Sequence, residues 1–316
     1  MRLKTFIFSA ALALSAPSIA QTPIKLLVGF PPGGGTDVIA RVLAEKLKDQ
    51  LGVSVIVENK AGAGGQLAAQ ALKAAAPDGN TLFLSHDHSI SILPLTLKSA
   101  GFDTQKDFTP VAGFATFVNA VALSGGTNAK SFGDYVTLIK SQGAKGAMGI
   151  PAPASTPEFL VKVLGEQNAL SLQPIPYRGS APMIADMLGN QINAGVGSVP
   201  DFIENHKAGK LRVVAVAGEK RQAVMPDVPT LAELGVKGFE DVPYYGIFAP
   251  AGTPRATLEK FSDALAKVVA MPDVRERLTN MGLAVGHMSA EQLGARERAY
   301  ASAWGKIIKD SGFQPQ

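Results

Sequence analysis

The chain has 316 residues, no cysteine, 30 Lys and Arg against 26 Asp and Glu, and a formal net charge of +4. Without a thiol there is no disulfide, no thiolate metal site and no cysteine nucleophile. The basic residues are scattered along the chain, which leaves no electrostatic footprint for nucleic acid.

The first predicted element is a targeting segment. Arg2 and Lys4 precede a nearly uncharged run from Thr5 to Ala20, and its apolar part, Phe6 to Leu14, has the length of a signal-peptide core. Pro17 breaks the run, and Ser18 and Ala20 supply the small residues of a cleavage site. A membrane span needs about 20 apolar residues, so residues 1–20 read as a cleaved export signal and not an anchor. No Cys follows the apolar run, which excludes a lipid-anchored form. Cleavage removes Arg2 and Lys4 and no acid, leaving a nearly neutral chain of 296 residues, enough for two domains of common size.

Strand and helix patterns then alternate. Ile24–Phe30 is a short apolar run ending in Pro31-Pro32-Gly33-Gly34-Gly35. Thr36 is placed to cap a helix carrying Val38, Ile39, Val42, Leu43 and Leu47 at helical spacing. Val53–Val57 is a β-branched strand, Gly62–Gly65 precede an Ala-rich helix reaching Ala76, and Thr81–Ser85 is a third strand. A second series begins with a strand at Asn119–Leu123. Helices follow at Phe132–Lys140, Thr156–Glu166 and Ala181–Leu188, with strands at Gly146–Ile150, Leu172–Tyr177, Ile192–Val196 and Leu211–Ala217. Pro243–Pro250 reads as a strand leading to a helix near Pro254, and Ser289–Asp310 as one long amphipathic helix. Alternation of this kind implies mainly parallel sheets flanked by helices. No flexible linker separates the two series, so the chain is expected to cross between two lobes at strands. Residues 21–121 and 246–316 would form one lobe, and 122–245 the other.

Three strand-to-helix loops are candidates for chemistry. In Phe30-Pro31-Pro32-Gly33-Gly34-Gly35-Thr36-Asp37, glycines allow close backbone approach and the helix start offers unpaired N–H groups. Together with the helix dipole these make an anion site, beyond the carboxyl end of a strand, where open α/β sheets bind ligands. Alone, the segment reads equally well as a tight turn, and it is neither a nucleotide P-loop nor Gly-x-Gly-x-x-Gly. The second loop, Ile150 to Pro157, places Ser155 or Thr156 to cap a helix. The third, Gly197-Ser198-Val199-Pro200-Asp201, follows another strand; in both, the hydroxyl residue is either a ligand contact or only a cap.

Ser85-His86-Asp87-His88-Ser89 sets two histidines around an acid. On an extended segment both imidazoles would face one way, which admits a metal site, but no third ligand is evident near them. The alternatives are plain loop residues or a lining of the solute site. A titrating His there would make affinity sensitive to pH near roughly 6–7. For catalysis the inventory is poor: Gly197-Ser198-Val199 is not the nucleophile elbow of hydrolases, and no carboxylate pair sits at a suggestive spacing. No catalytic residue, metal or cofactor is expected.

The sequence resembles the solute receptors of tripartite tricarboxylate transporters, the Bug family, over essentially the whole mature chain. The matching segments are Val28–Asp37, Val57–Gly65 (Val-Glu-Asn-Lys-Ala-Gly-Ala-Gly-Gly), Pro77–Leu82, Asp107–Val111, Pro176–Ala181 (Pro-Tyr-Arg-Gly-Ser-Ala), Gly209–Val216, Pro226–Gly235 and Ala249–Pro254. Each is weak by itself; their order and spacing together are specific. The resemblance implies a two-lobed periplasmic binding protein, a Venus flytrap that closes on a small carboxylate (an organic or aromatic acid, or an amino-acid-like solute) and delivers it to a membrane permease of the tripartite tricarboxylate type. A monomer, and a binding protein instead of an enzyme, is the expectation; a ligand sensor for a signalling system is the alternative. It further implies that the carboxylate is held by the loop Phe30–Asp37 and the helix start at Ser155-Thr156, often through ordered water, with Ser198–Asp201 similarly placed. The expected site comprises Phe30, Pro32, Gly33, Gly34, Gly35, Thr36, Asp37, His86, Asp87, His88, Ala154, Ser155, Thr156, Tyr177, Ser198, Val199 and Asp201. Two departures stand out. Gly149 to Thr156 replaces a Gly-Ser-rich stretch, and His86-Asp87-His88 replaces a Gly/Ser-rich loop, where it would select a polar or cationic substituent.

Overall fold

The computed structural model describes residues 22–315, so the expected export signal lies outside the described residues. The strands are β1 (Ile24–Val28), β2 (Val55–Asn59), β3 (Thr81–His86), β4 (Phe108–Thr116), β5 (Asn119–Ser124), β6 (Lys145–Ile150), β7 (Ser171–Pro176), β8 (Ala194–Ser198), β9 (Leu211–Val216), β10 (Tyr244–Pro250) and β11 (Ala284–Met288). The helices are α1 (Gly35–Leu51), α2 (Gln66–Lys73), α3 (Leu93–Thr96), α4 (Thr104–Asp107), α5 (Phe132–Ser141), α6 (Thr156–Gln167), α7 (Ser180–Leu188), α8 (Val199–Lys207), α9 (Arg255–Ala270), α10 (Pro272–Asn280) and α11 (Ala290–Asp310).

Two sheets result, ordered β11-β4-β10-β3-β1-β2 and β7-β6-β8-β5-β9, each the centre of an α/β lobe. In the first, β1 to β4 run one way and β10 and β11 the other; in the second, only β5 is reversed. The sheets are therefore mixed, with reversed strands inserted where the chain changes lobe. It leaves the first sheet after Thr116, enters the second at Asn119, and returns between Val216 and Tyr244.

Two strands escape the sequence patterns. β4 contains Pro110 and Gly113, residues that argue against a strand interior. It tolerates them through register shifts against β10, and Gly113 leaves room for Met288, whose Cε would lie 2.5 Å from a Cβ built there. β11 is a mostly exposed edge without an apolar face. The segment His86-Asp87-His88 is not extended as expected. β3 ends at His86, Asp87 is helical (φ −42°, ψ −46°), and His88 opens a wide helical turn to Ile92. Such wide turns recur at functional sites.

Helix α1 shows why its sequence is helical. Ile39, Val42, Leu43 and Leu47 form its buried stripe, and Gly52, at φ 69°, ends it by donating its N–H to the Lys48 carbonyl at 3.0 Å. Its N-cap is Gly34, so Thr36 lies inside the first turn and is not the cap. Helix α11 is capped as its sequence suggests: Ser289 Oγ accepts from the Gln292 N–H, and Gln292 Oε1 accepts from the Ser289 N–H. It packs on β4, yet its Trp304, 2 % exposed, lies 5.8 Å from the ring of Phe159 in α6 and 6.3 Å from that of Phe239. One helix thereby joins the cores of both lobes. Trp304→Ala is expected to cost about 3–5 kcal/mol, the usual range for truncating a buried Trp; a denaturant titration that moves by less than about 1 kcal/mol would refute this role for the joint.

Candidate functional site

Loops that follow β1, β3, β6, β7 and β8 meet where the lobes touch, and they enclose one cavity of about 50 Å³. Phe30, Gly34, Thr36, His86, Asp87, His88, Ser155, Thr156, Ser198 and Asp201, all expected from sequence, line it. Gly33 and Gly35 face an adjoining surface groove, and Pro32, Asp37, Ala154, Tyr177 and Val199 do not line the cavity.

On the first lobe, the start of α1 supplies the wall. Gly34 is extended (φ −77°, ψ 163°) before the first turn, where the Thr36 and Asp37 amides have no acceptor within the helix. The Asp37 side chain braces the loop from behind. Its carboxylate takes Gly33 N–H at 3.0 Å, Arg41 Nε at 3.0 Å and Asn59 Nδ2 at 2.9 Å. Burial alone would raise its pKa, but Arg41, the Gly33 amide and Asn59 outweigh it and hold the carboxyl below its ordinary range. Thr36 Oγ1 lies 3.2 Å from the Tyr245 hydroxyl.

On the second lobe, α6 opens onto the same cavity. Ser155 precedes it in extended conformation, but its hydroxyl donates to the Ala152 carbonyl at 2.6 Å and so braces the loop instead of capping the helix. Ala154 sits at φ 51°, a left-handed conformation uncommon for a residue with a Cβ, and its N–H donates to Glu158 Oε2 at 2.7 Å. This turn aims Thr156 at the cavity. Thr156 Oγ1 is buried without a hydrogen-bond partner, although the Tyr300 hydroxyl is close enough to be perturbed by it.

In the third loop Ser198 is the N-cap of α8, one of the two roles its sequence left open, and Ser198 and Asp201 line the cavity. At the start of α8, Val199 N–H donates to the Val118 carbonyl at 3.0 Å, and Asp201 Oδ2 takes both the N–H (3.0 Å) and hydroxyl (2.6 Å) of Ser198. Its other oxygen, Oδ1, accepts from Gly35 N–H of the opposite lobe at 3.1 Å. The protein's own carboxylate thus takes one amide of α1 and bridges the lobes. Tyr177 lies apart, its hydroxyl donating to Asp186 at 2.7 Å.

The histidines form the floor. His86 is ringed by Phe30 (5.0 Å, stacked), Tyr245 (5.5 Å, edge-on) and Phe117 (5.9 Å, edge-on), and its Nδ1 lies 3.2 Å from Asp87 Oδ1. Tyr300 donates to the other oxygen of Asp87 at 3.1 Å. His88 is fully enclosed and neither ring nitrogen has a partner. Burial, with a smaller contribution from His86, pushes its pKa down to about 4. Among the described residues no group of His, Asp and Glu is arranged to hold a metal.

Sequence reading missed Phe117, Asn119, Pro151, Ala152, Pro157, Ser180 and Tyr245 of the lining. Phe117 and Asn119 flank the first lobe crossing, which was the available signal for them. Tyr245 arrives through strand pairing opposite His86, a register that local sequence does not encode.

Residues 39–313 match the family described as tripartite tricarboxylate transporter family receptor. The chain belongs to this receptor family. Among similar curated proteins, one from the gbd 5′ region of Cupriavidus necator is 34% identical over 291 residues, covering 90% of this chain and 88% of that one. BugT of Bordetella pertussis is 31% identical over 315 residues, covering 97% and 95%. Among solved structures, periplasmic binding protein BugD superposes with a TM-score of 0.88 at 30% identity, covering 93% of this chain and 99% of that one. MatC of Rhodopseudomonas palustris, solved with bound malate, does so with 0.84 at 26% identity, covering 90% and 98%. The two-lobed α/β architecture is therefore that of the periplasmic binding proteins. No described helix is long and apolar enough to cross a membrane.

The receptor's stability should carry the signature of His88. Its folded pKa of about 4 lies below the ordinary 6.5, so between those values the unfolded chain binds more protons. Stability then rises with pH across that window and is lost as pH falls through it, by roughly 3 kcal/mol in all. Denaturation of wild type and His88→Gln from pH 7 to 4 should give a difference in stability that shrinks or reverses toward acid; parallel curves would contradict the buried neutral imidazole.

Proposed function

We propose that the protein is an extracytoplasmic solute receptor that captures a small carboxylate by lobe closure and hands it to a permease of the tripartite tricarboxylate type. The observation that carries this reading is that α1 and α6, from opposite lobes, begin at one cavity, with Thr36 and Thr156 in their first turns. A carboxylate bridging those amides favours the closed state because it contacts both lobes only there. Each charge-assisted hydrogen bond contributes about 1.5–3 kcal/mol. A few of them, less the cost of ordering, support micromolar binding, about −8 kcal/mol.

Residues 1–20 act as the cleaved export signal in this reading, the working form is a monomer, and the domains divide near residues 121 and 245. No cofactor or catalytic step is involved. The bound structures of relatives support the solute class: MatC with malate, and an R. palustris protein, 26% identical with a TM-score of 0.88, with adipate.

Calorimetry with mono- and dicarboxylates, together with small-angle scattering, tests the reading; no heat and no compaction with any acid would sink it. Gly35→Ala provides a sharper test. A Cβ there would meet Asp201 Oδ1 at 2.9 Å and Pro200 Cβ at 3.2 Å across the cleft. It should wedge the lobes, lowering affinity roughly tenfold or more, about 1.4 kcal/mol, while the helix itself tolerates or gains from Ala. Unchanged affinity would mean that closure at Gly35 is not part of binding.

A further inference from the structure

The cavity's charge is unusual for an anion site. Among the described residues its lining contains two carboxylates, Asp87 and Asp201, and no Lys or Arg. Asp87 is 3% exposed and has two donors, His86 Nδ1 and the Tyr300 hydroxyl. An ionised carboxylate has about four acceptor positions, so it retains capacity toward the cavity. Beside it, His88 is part of the lining, with both ring nitrogens buried away from the cavity surface. Phe30, Phe117 and Tyr245 add aromatic surfaces to the same lining, and aromatic faces attract cations. These features are complementary to a positively charged N–H donor, and a second ligand carboxylate would meet like charge.

We propose that the solute is a compact zwitterion and that Asp87 is the specificity-determining residue that takes its ammonium group, the carboxylate lying at the starts of α1 and α6. This rests on the carboxylate-receptor reading and adds the class of solute. The volume of about 50 Å³ favours a short molecule, since one water-sized group needs roughly 10–15 Å³. Asp201 supplies the opposing negative charge from the other lobe.

Matched solutes separate the two readings in the wild-type protein. Calorimetry would compare alanine, β-alanine and 4-aminobutyrate with acids lacking the ammonium, propionate and butyrate, and with amines lacking the carboxylate, ethylamine and propylamine. At least one amino acid should bind 100-fold or more tighter than its matched acid. In Asp87→Asn that ratio should fall below tenfold; the melting curve establishes that the variant is folded. If plain acids bind as tightly as amino acids, the ammonium proposal is overturned while the carboxylate reading stands. If amines bind as tightly as amino acids, the carboxylate reading fails and Asp87 alone is supported. Absence of binding throughout the panel overturns the compact-zwitterion proposal, and the wider acid panel then decides the receptor reading by itself. Should Asp87→Asn fail to fold, the wild-type ratios still decide.

Discussion

The first amides of a helix have no acceptor inside that helix, and the cost of leaving them buried and unpaired shapes this molecule. α1 and α6 approach each other from opposite lobes with their starts on one cavity. Each amide there needs water, a solute oxygen or a side-chain oxygen. Asp201 illustrates the last solution, since one of its oxygens serves Gly35 across the cleft while the other serves Ser198 at the start of its own helix. The remaining first-turn amides of α1 and α6 stay without acceptors inside their helices at the cavity wall.

Holding those helix starts still falls to groups outside the cavity. Asp37, tied to Gly33, Arg41 and Asn59, fixes the approach of the glycine loop. Ala154 and Ser155 do the same for α6 through a left-handed residue and a hydroxyl-to-carbonyl bond. Several residues that resemble ligand contacts in sequence are therefore the frame that positions the contacts. Asp37 and Ala154 hold the turns that place Thr36 and Thr156 at the cavity wall.

Much of the architecture was legible in the order of the residues. Alternating apolar runs and helical stripes marked most strands and the longer helices, and the three loops at strand ends pointed to one region. Legibility failed where long-range context overrides local pattern. Pro110 and Gly113 disguise β4, which survives because its partner strands shift register around them. His86-Asp87-His88 looked extended, but β3 stops at His86 and the chain turns into a helix. Ser198 reads from sequence as a contact or a cap; which partners it and Val199 take, Asp201 and the Val118 carbonyl, spacing alone does not reveal. Tyr245 reached the site only by pairing with a strand far away in sequence.

The position of α6 has a mechanical consequence. Thr156 touches the cavity, and three residues on, Phe159 is wedged against Trp304 of α11. One helical turn rises about 5.4 Å, so the cavity wall and the aromatic contact between the lobes belong to the same turn of α6. A shift of Thr156 at the cavity wall is therefore carried along one turn of α6 to the Phe159–Trp304 contact, inside the seam where α11 meets the second lobe.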